Sequence, residues 1–299
     1  MIDAACELPP REPPGAFPPP DGLVLISTPI GNLGDITARA IATLRAVDAA
    51  LCEDTRVTRR LLAALGVNAR LLALHEHNED ARIPEVLAML RGGRRVALVS
   101  DAGTPLVSDP GFRLVRAAIA EGLSVSGVPG ANAALLALTL SGLPPHPFLF
   151  LGFLPPRQAA RRAALDRLRT AERAGLSATL VCYEAPHRLG DTLADLTTVL
   201  GDRQAAVARE LTKRFEEVQR AALSDLAAHY AAEPARGEVT IVIGPAAVEA
   251  ADESDLDARL RIALAGTSLK QAVAEVAAAT GLARRKVYAR ALALANETA

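Results

Sequence analysis

Two aspartates bracket the stretch LVSDAGTPLVSDPG, Leu98 to Gly111, and no Lys or Arg interrupts it. The apolar run before Ser100 reads as a buried strand, and the Gly, Pro and Asp after it read as a ligand loop at the strand's end. Asp101 and Asp109 would repel a phosphate. A carboxylate instead suits ribose hydroxyls, an ammonium, a sulfonium or a metal ion. Asp109 has a structural alternative: it or Ser108 would cap a helix whose first position is Pro110. Asp101 has no such duty and is the candidate ligand.

Three further stretches carry chemistry. TPIGNLGD, Thr28 to Asp35, sets Gly31 and Gly34 where backbone could approach a ligand. It is neither G-x-G-x-x-G nor a Walker loop, which counts against nicotinamide or ATP. As a plain turn it would use Asp35 to cap the next helix. CYEAPHR, Cys182 to Arg188, ends a strand in Tyr183 and Glu184. RELTKRFEE, Arg209 to Glu217, crowds acid, base and hydroxyl groups together, with Lys213 one of three lysines beside 30 arginines. A lysine sheds its proton when desolvated near cations and an arginine does not; Arg209 and Arg214 would push Lys213 that way. His75 and His77 could share a strand face as metal ligands, but no clear third ligand accompanies them, so no metal is expected.

These loops need elements to hold them. From Leu23 onward, LVLIST, AALCED, RLLAL, RVALVS and LSVSGV read as buried strands. Helices at about 36–47, 57–65, up to 90, 111–120 and up to 141 alternate with them. Such alternation predicts an α/β domain over 23–143 with a largely parallel sheet and ligands at the strands' carboxyl ends. SGLPPHP is a linker. A second α/β domain over 147–245 follows, with strands FLFLGF, ATLVCY, AAVARE and VTIVIG, and helices near 157–173, 187–199 and 223–232. TKRFEEVQRAAL alternates like an antiparallel hairpin strand, and PAAVEAADESD is a second linker candidate. Residues 1–22, rich in proline, form no packed core and read as a disordered tail.

Residues 255–299 read as helical. Ala277, Gly281 and Val287 have the spacing of a helix-turn-helix. Residues 268–290 hold five cations against Glu275, and the 157–173 helix holds six arginines against two acids. Both faces are candidate nucleic-acid footprints. The formal net charge is only -1, so any such contact must be local. No apolar run reaches the roughly 18 residues of a membrane span. Three scattered cysteines and an N-terminus without a signal-peptide pattern point to a reducing cytoplasm.

The ordered motifs LISTPIGNLGDIT, EDTRVTRRLL, HEHNE, LVSDAGTPLVSDPG, VPGANAAL, FLGFLP, YEAPHR, RELTKRFEE and GEVTIVIG resemble the tetrapyrrole (precorrin-type) methylase superfamily. They cover about Leu23 to Gly244. The first loop departs from the superfamily's usual G-x-G-P-G-D and is similar to the RNA-modifying branch, which counts against a tetrapyrrole substrate. The resemblance implies a two-domain tetrapyrrole-methylase-like α/β fold with a helix-turn-helix-like extension. It implies a homodimer with S-adenosyl-L-methionine held between the domains. It further implies 2′-O-methylation of a decoding-centre cytidine ribose in 16S rRNA of the small ribosomal subunit.

Carried residue by residue, the resemblance places the cofactor against Pro29, Gly31, Asp101, Gly103, Thr104, Val107, Asn132 and Ala133. Tyr183, Glu184, Leu211, Gly237, Glu238 and Val239 complete the pocket from the second domain. In-line methyl transfer to a hydroxyl needs positioning and a base. Lys213 is the candidate base, with Glu184 or Glu217 as rival. Arg209, Arg188 and Arg56 are candidate phosphate contacts, and Arg161, Arg162, Arg284, Arg285 and Lys286 a candidate RNA footprint. Two other readings stay open: a corrin or porphyrin methyltransferase, and a non-catalytic RNA-binding assembly factor.

Overall fold

A computed structural model of the protein describes residues 19–246, 253–280, 282 and 284–297. Most of the Pro-rich tail, residues 247–252 of the second linker candidate and Gly281 lie outside the described residues. The chain divides into two compact units. The first runs to Leu140 and takes in Ala208–Glu217; the second comprises Ser141–Val207 and the chain from Val218 on.

In the first unit, β1 (Leu23–Ile26), β2 (Ala49–Cys52), β3 (Leu71–Ala73), β4 (Val96–Val99) and β5 (Val125–Val128) form one sheet in the order β3-β2-β4-β1-β5. Every recorded pairing in it is parallel. Parallel strands covered on both faces must be apolar throughout rather than alternating, and β2 and β4 are buried at every position. Helices α1 (Ala38–Ala46) and α2 (Thr55–Ala64) bury Leu44 and Leu62 against one face. Helices α3 (Glu79–Arg91) and α4 (Phe112–Ala120) bury Leu87 and Leu114 against the other. Each leucine so buried contributes about 2 kcal/mol. Helix α5 (Ala133–Ser141) follows β5.

The second unit's sheet has the order β6-β7-β10-β8-β9, from β6 (Phe148–Phe153), β7 (Thr179–Glu184), β8 (Gln204–Arg209), β9 (Glu217–Ala222) and β10 (Val239–Ile243). It is mixed: β6 and β7 are parallel, β7 and β10 antiparallel. Helices α6 (Gln158–Arg173), α7 (Leu189–Leu200) and α8 (Leu223–Ala232) bury Leu165, Leu193, Leu196 and Leu226 against Leu180, Val207 and Ile241. The last three helices, α9 (Glu253–Gly266), α10 (Leu269–Thr280) and α11 (Arg284–Glu297), share a small core of Leu260, Val273, Val276, Val287 and Leu294. No described helix is long and apolar enough to cross a membrane.

One expected boundary changes. RELTKRFEE was assigned to the second domain by its flanking strands, yet Ala208–Glu217 belongs to the first unit. Which unit a hairpin tip packs into is a long-range contact, invisible to local pattern.

Candidate active site

In the first unit, β1 and β4 are neighbours, but the helices that follow them pack on opposite faces of the sheet. The loops that leave them meet at the strands' carboxyl ends, where open α/β sheets bind ligands. The loops are zipped together there. Thr28 N–H donates to Gly103 O at 2.9 Å, and Gly103 N–H donates back to Thr28 O at 3.1 Å. Ser27 Oγ donates to Thr104 Oγ1 at 3.3 Å, and Thr104 Oγ1 donates to Ala131 O at 3.1 Å. The loops after β1, β4 and β5 are thus one platform bearing Pro29, Gly31, Gly103, Thr104, Asn132 and Ala133. Val107 sits between Leu106 and Ser108, non-glycine residues held at φ 69° and 68°. Such conformations cost about 1–3 kcal/mol each and persist where the surroundings impose them. Asn132 has a structural duty as well: its Oδ1 accepts from Leu135 N–H at the start of α5.

Asp101 stands in the loop after β4, beside this platform. Its Oδ1 accepts from Asp54 N–H at 3.2 Å, which joins the loop after β2 to the loop after β4. Burial raises its pKa above the ordinary 3.8, against the Asp54 hydrogen bond that lowers it. Asp109 is not the helix cap. Helix α4 begins at Phe112 with Gly111 in the capping position at φ 117° and no side-chain cap. A Cβ on Gly111 would lie 2.6 Å from Leu98 Cδ2. Glu79 of α3, buried in the unit, accepts Leu114 N–H at 3.0 Å and does the capping. Asp109 turns inward to Ser100 Oγ at 2.5 Å; burial raises its pKa, with Glu53 and Asp101 adding to the rise. Nor does Asp35 cap a helix: Asn32 caps the short turn at Leu33–Asp35, and Thr37 caps α1. Carboxylates of Glu53, Asp54, Asp101 and Asp109 thus gather near the ends of β2 and β4. Arg56, an expected phosphate contact, is engaged by Asp54 at 2.6 Å. That donor set suits a cation bearing hydroxyls and disfavours a phosphate.

The hairpin tip at Ala208–Glu217 completes the first unit's share. Leu211 is buried, and Glu210 and Thr212 on either side of it take φ of 50° and 66°. Lys213 Nζ meets Glu210 Oε1 at 2.8 Å. Its aliphatic stem lies over Gly31, where a Cβ would come 2.4 Å from Lys213 Cγ. Gly31 is therefore glycine because the lysine fills that space. Arg209 binds Glu217 at 2.7 Å, and Arg214 lies over the Phe215 ring. Glu210, which sequence reasoning passed over, is the partner; its only signal was its place inside the charged stretch.

In the second unit, Glu184 and Val239 are register partners across β7 and β10, so Tyr183, Glu184, Gly237, Glu238 and Val239 come to one end of that sheet. Tyr183 packs against the rings of Phe150 and Phe153. Glu184 does not stand ready as a base. Its buried carboxylate accepts from Thr192 Oγ1 at 2.6 Å, Ala185 N–H at 2.7 Å and Arg188 at 2.7 Å. Arg188 also donates to Leu154 O, so it is an internal tie rather than a phosphate contact. The 157–173 footprint is corrected in the same way. Arg161 is 3% exposed and paired with Asp195, and Arg162 reaches the same carboxylate at 2.6 Å. Arg161 is thus a core anchor, which sequence could not distinguish from the exposed arginines around it. At the C-terminal end, Arg284, Arg285 and Lys286 are exposed. Among the described residues no group of three or more His, Cys, Asp or Glu side chains is placed to hold a metal.

The family described as Tetrapyrrole (Corrin/Porphyrin) Methylases matches residues 22–227, and the RsmI C-terminal HTH domain matches residues 250–295. The chain is 46% identical over 281 residues to the Ribosomal RNA small subunit methyltransferase I of Mesorhizobium japonicum, covering 93% of this chain and 94% of that one. It is 49% identical over 273 residues to the protein of the same name from Micromonospora olivasterospora, covering 89% and 85%. Among solved structures, the methyltransferase CobJ superposes with a TM-score of 0.55 at 22% identity, over 76% of this chain and 95% of that one, a likeness of fold. The chain belongs to the tetrapyrrole methylase family, with a C-terminal helix-turn-helix domain of the RsmI type.

Proposed function

We infer that this protein transfers the methyl group of S-adenosylmethionine to ribosomal RNA of the small subunit. The relatives' shared name supports the reaction class and substrate. The observation that carries the chemistry is the acidic platform, tied through Gly31 to Lys213. When bound, S-adenosylmethionine supplies an electrophilic methyl group on a sulfonium, and it carries an ammonium and a ribose diol but no phosphate. The carboxylates near Asp101 fit that cation. The acceptor we propose is the 2′-oxygen of a decoding-centre cytidine in 16S rRNA. Lys213 Nζ takes the proton of the attacking hydroxyl, having passed its own proton to Glu210 Oε1, 2.8 Å away. Both protons are then held on that pair, the oxygen's electron pair is free to form the O–CH3 bond, and the pair of the broken C–S bond would leave with the sulfur, cancelling its positive charge. A homodimer in the cytoplasm is the assembly we propose.

The relatives' shared name and the C-terminal helix-turn-helix match favour RNA over a corrin or porphyrin as the acceptor. Radiolabelled S-adenosylmethionine offered with small subunits, naked RNA and tetrapyrroles tests the reading. Label in RNA is the expected result; label in a tetrapyrrole, or in nothing, overturns it.

Two outcomes follow for binding. Asp101→Asn is expected to weaken S-adenosylmethionine about 10- to 100-fold by calorimetry, the loss of one charge-assisted contact. A cation is held by the ionised carboxylate, and burial raises the Asp101 pKa above 3.8. Wild-type affinity should therefore begin to fall on acidification before an ordinary carboxylate would titrate, and the Asn variant should lose that dependence. Removing residues 250–299 is expected to weaken RNA binding in a filter assay while cofactor affinity is retained.

A further inference from the structure

Helices α10 and α11 enclose a groove of about 640 Å³ that plays no part in the chemistry above. Lys270, Arg284 and Arg285 stand around it, Val273 and Ala274 floor it, and Tyr288 lines it. No carboxylate is among the lining residues. Tyr288 is 47% exposed. Its ring is therefore open to a ligand, one of only three Tyr in a chain with no Trp. Arg290, two residues further along α11, is held by Asp257 of α9. That pair ties α11 to α9, apart from the cations that line the groove.

An open ring beside cations and a shallow apolar floor is the chemistry that stacks a base while neutralising its flanking phosphates. Duplex RNA fits the arrangement poorly. A recognition helix reads a major groove, and the A-form major groove is too deep and narrow for side chains to read. The volume also lies within the range of small-ligand pockets rather than a flat duplex track. We propose that the α10–α11 groove binds an unpaired RNA strand, one base stacking on Tyr288 and adjacent phosphates meeting Lys270, Arg284 and Arg285.

This rests on the ribosomal-RNA reading for its partner and adds the strand state and the contact that selects it. The test uses full-length protein and fluorescence anisotropy with a labelled single-stranded RNA dodecamer, against the same sequence in a duplex. Tyr288→Ala is expected to weaken the single strand about 5- to 100-fold, Tyr288→Phe to bind as the wild type, and the duplex to bind more weakly than the single strand. Lys270→Glu, on the exposed rim, should weaken the strand too, so the proposal does not depend on one variant's folding. Tyr288→Ala binding as tightly as the wild type, or a duplex bound as tightly as the single strand, overturns the proposal. Methylation of small subunits by the wild type, measured in parallel, reports on the catalytic reading alone; its absence beside Tyr288-dependent strand binding rejects that reading and leaves the groove standing.

Discussion

Lys213→Ala is expected to lower methyl transfer about 10²- to 10⁴-fold, the usual worth of a positioned acid–base group, with cofactor affinity unchanged. Lys213 is placed by three independent features: the Glu210 ion pair, the left-handed backbone at Glu210 and Thr212, and the Gly31 surface under its stem. Gly31→Ala should therefore lower the rate as well. Its new Cβ would meet Lys213 at Cγ, near the root of the side chain, so the whole lysine must move. Lys213→Arg separates charge from proton transfer, because a guanidinium keeps its proton. Single-turnover incorporation of labelled methyl by the three variants decides the matter. Full activity in Lys213→Arg would mean the residue acts only as a cation, and full activity in Lys213→Ala would remove it from the reaction.

Asp195→Asn is expected to cost about 3–5 kcal/mol of stability, because it leaves Arg161 buried without its counter-charge. Asp195 is fully buried and receives Arg161 and Arg162 at 2.6 Å each and Gln158 at 3.2 Å. The thermal midpoint should fall by on the order of 10 °C. The pH dependence has a definite sign. Burial opposes the charged form, but the Arg162 and Arg161 hydrogen bonds prevail and hold the Asp195 pKa below 3.8. The stabilisation is present above the unfolded value near 3.8 and is lost as pH falls through the lower folded value. Thermal scans across acid pH should show this slope in the wild type and not in the variant. An unchanged midpoint in Asp195→Asn would show that the arginines are solvated after all.

Both expectations mark where local pattern stops. Arg161 and Arg162 sit on a helix whose composition predicts a basic surface, and only the approach of α7 makes Asp195 their partner. Glu184 ends a strand just before a tight turn, as a reactive carboxylate would, but Arg188 of that turn and Thr192 of α7 occupy it. Asp109 had every local mark of a cap. It lost that duty to Glu79, 35 residues from the amide it caps, because Gly111 turns the chain before α4 can begin.

The alternation of apolar runs with amphipathic stretches was enough to determine the strands, the helices and the placement of the ligand loops at strand ends, because hydrophobic period and Gly, Pro and Asp chemistry act within a few residues. The acidity of the Asp101 loop, and with it the preference for a phosphate-free cation, was equally legible from residue types. Tertiary structure alone decided which charges remain available. It assigned Lys213 to Glu210 and Gly31, Arg209 to Glu217, Arg161 to Asp195 and Asp109 to Ser100. Ion pairs and close packing join residues by distance in space, and the order of residues along the chain carries no term for that distance.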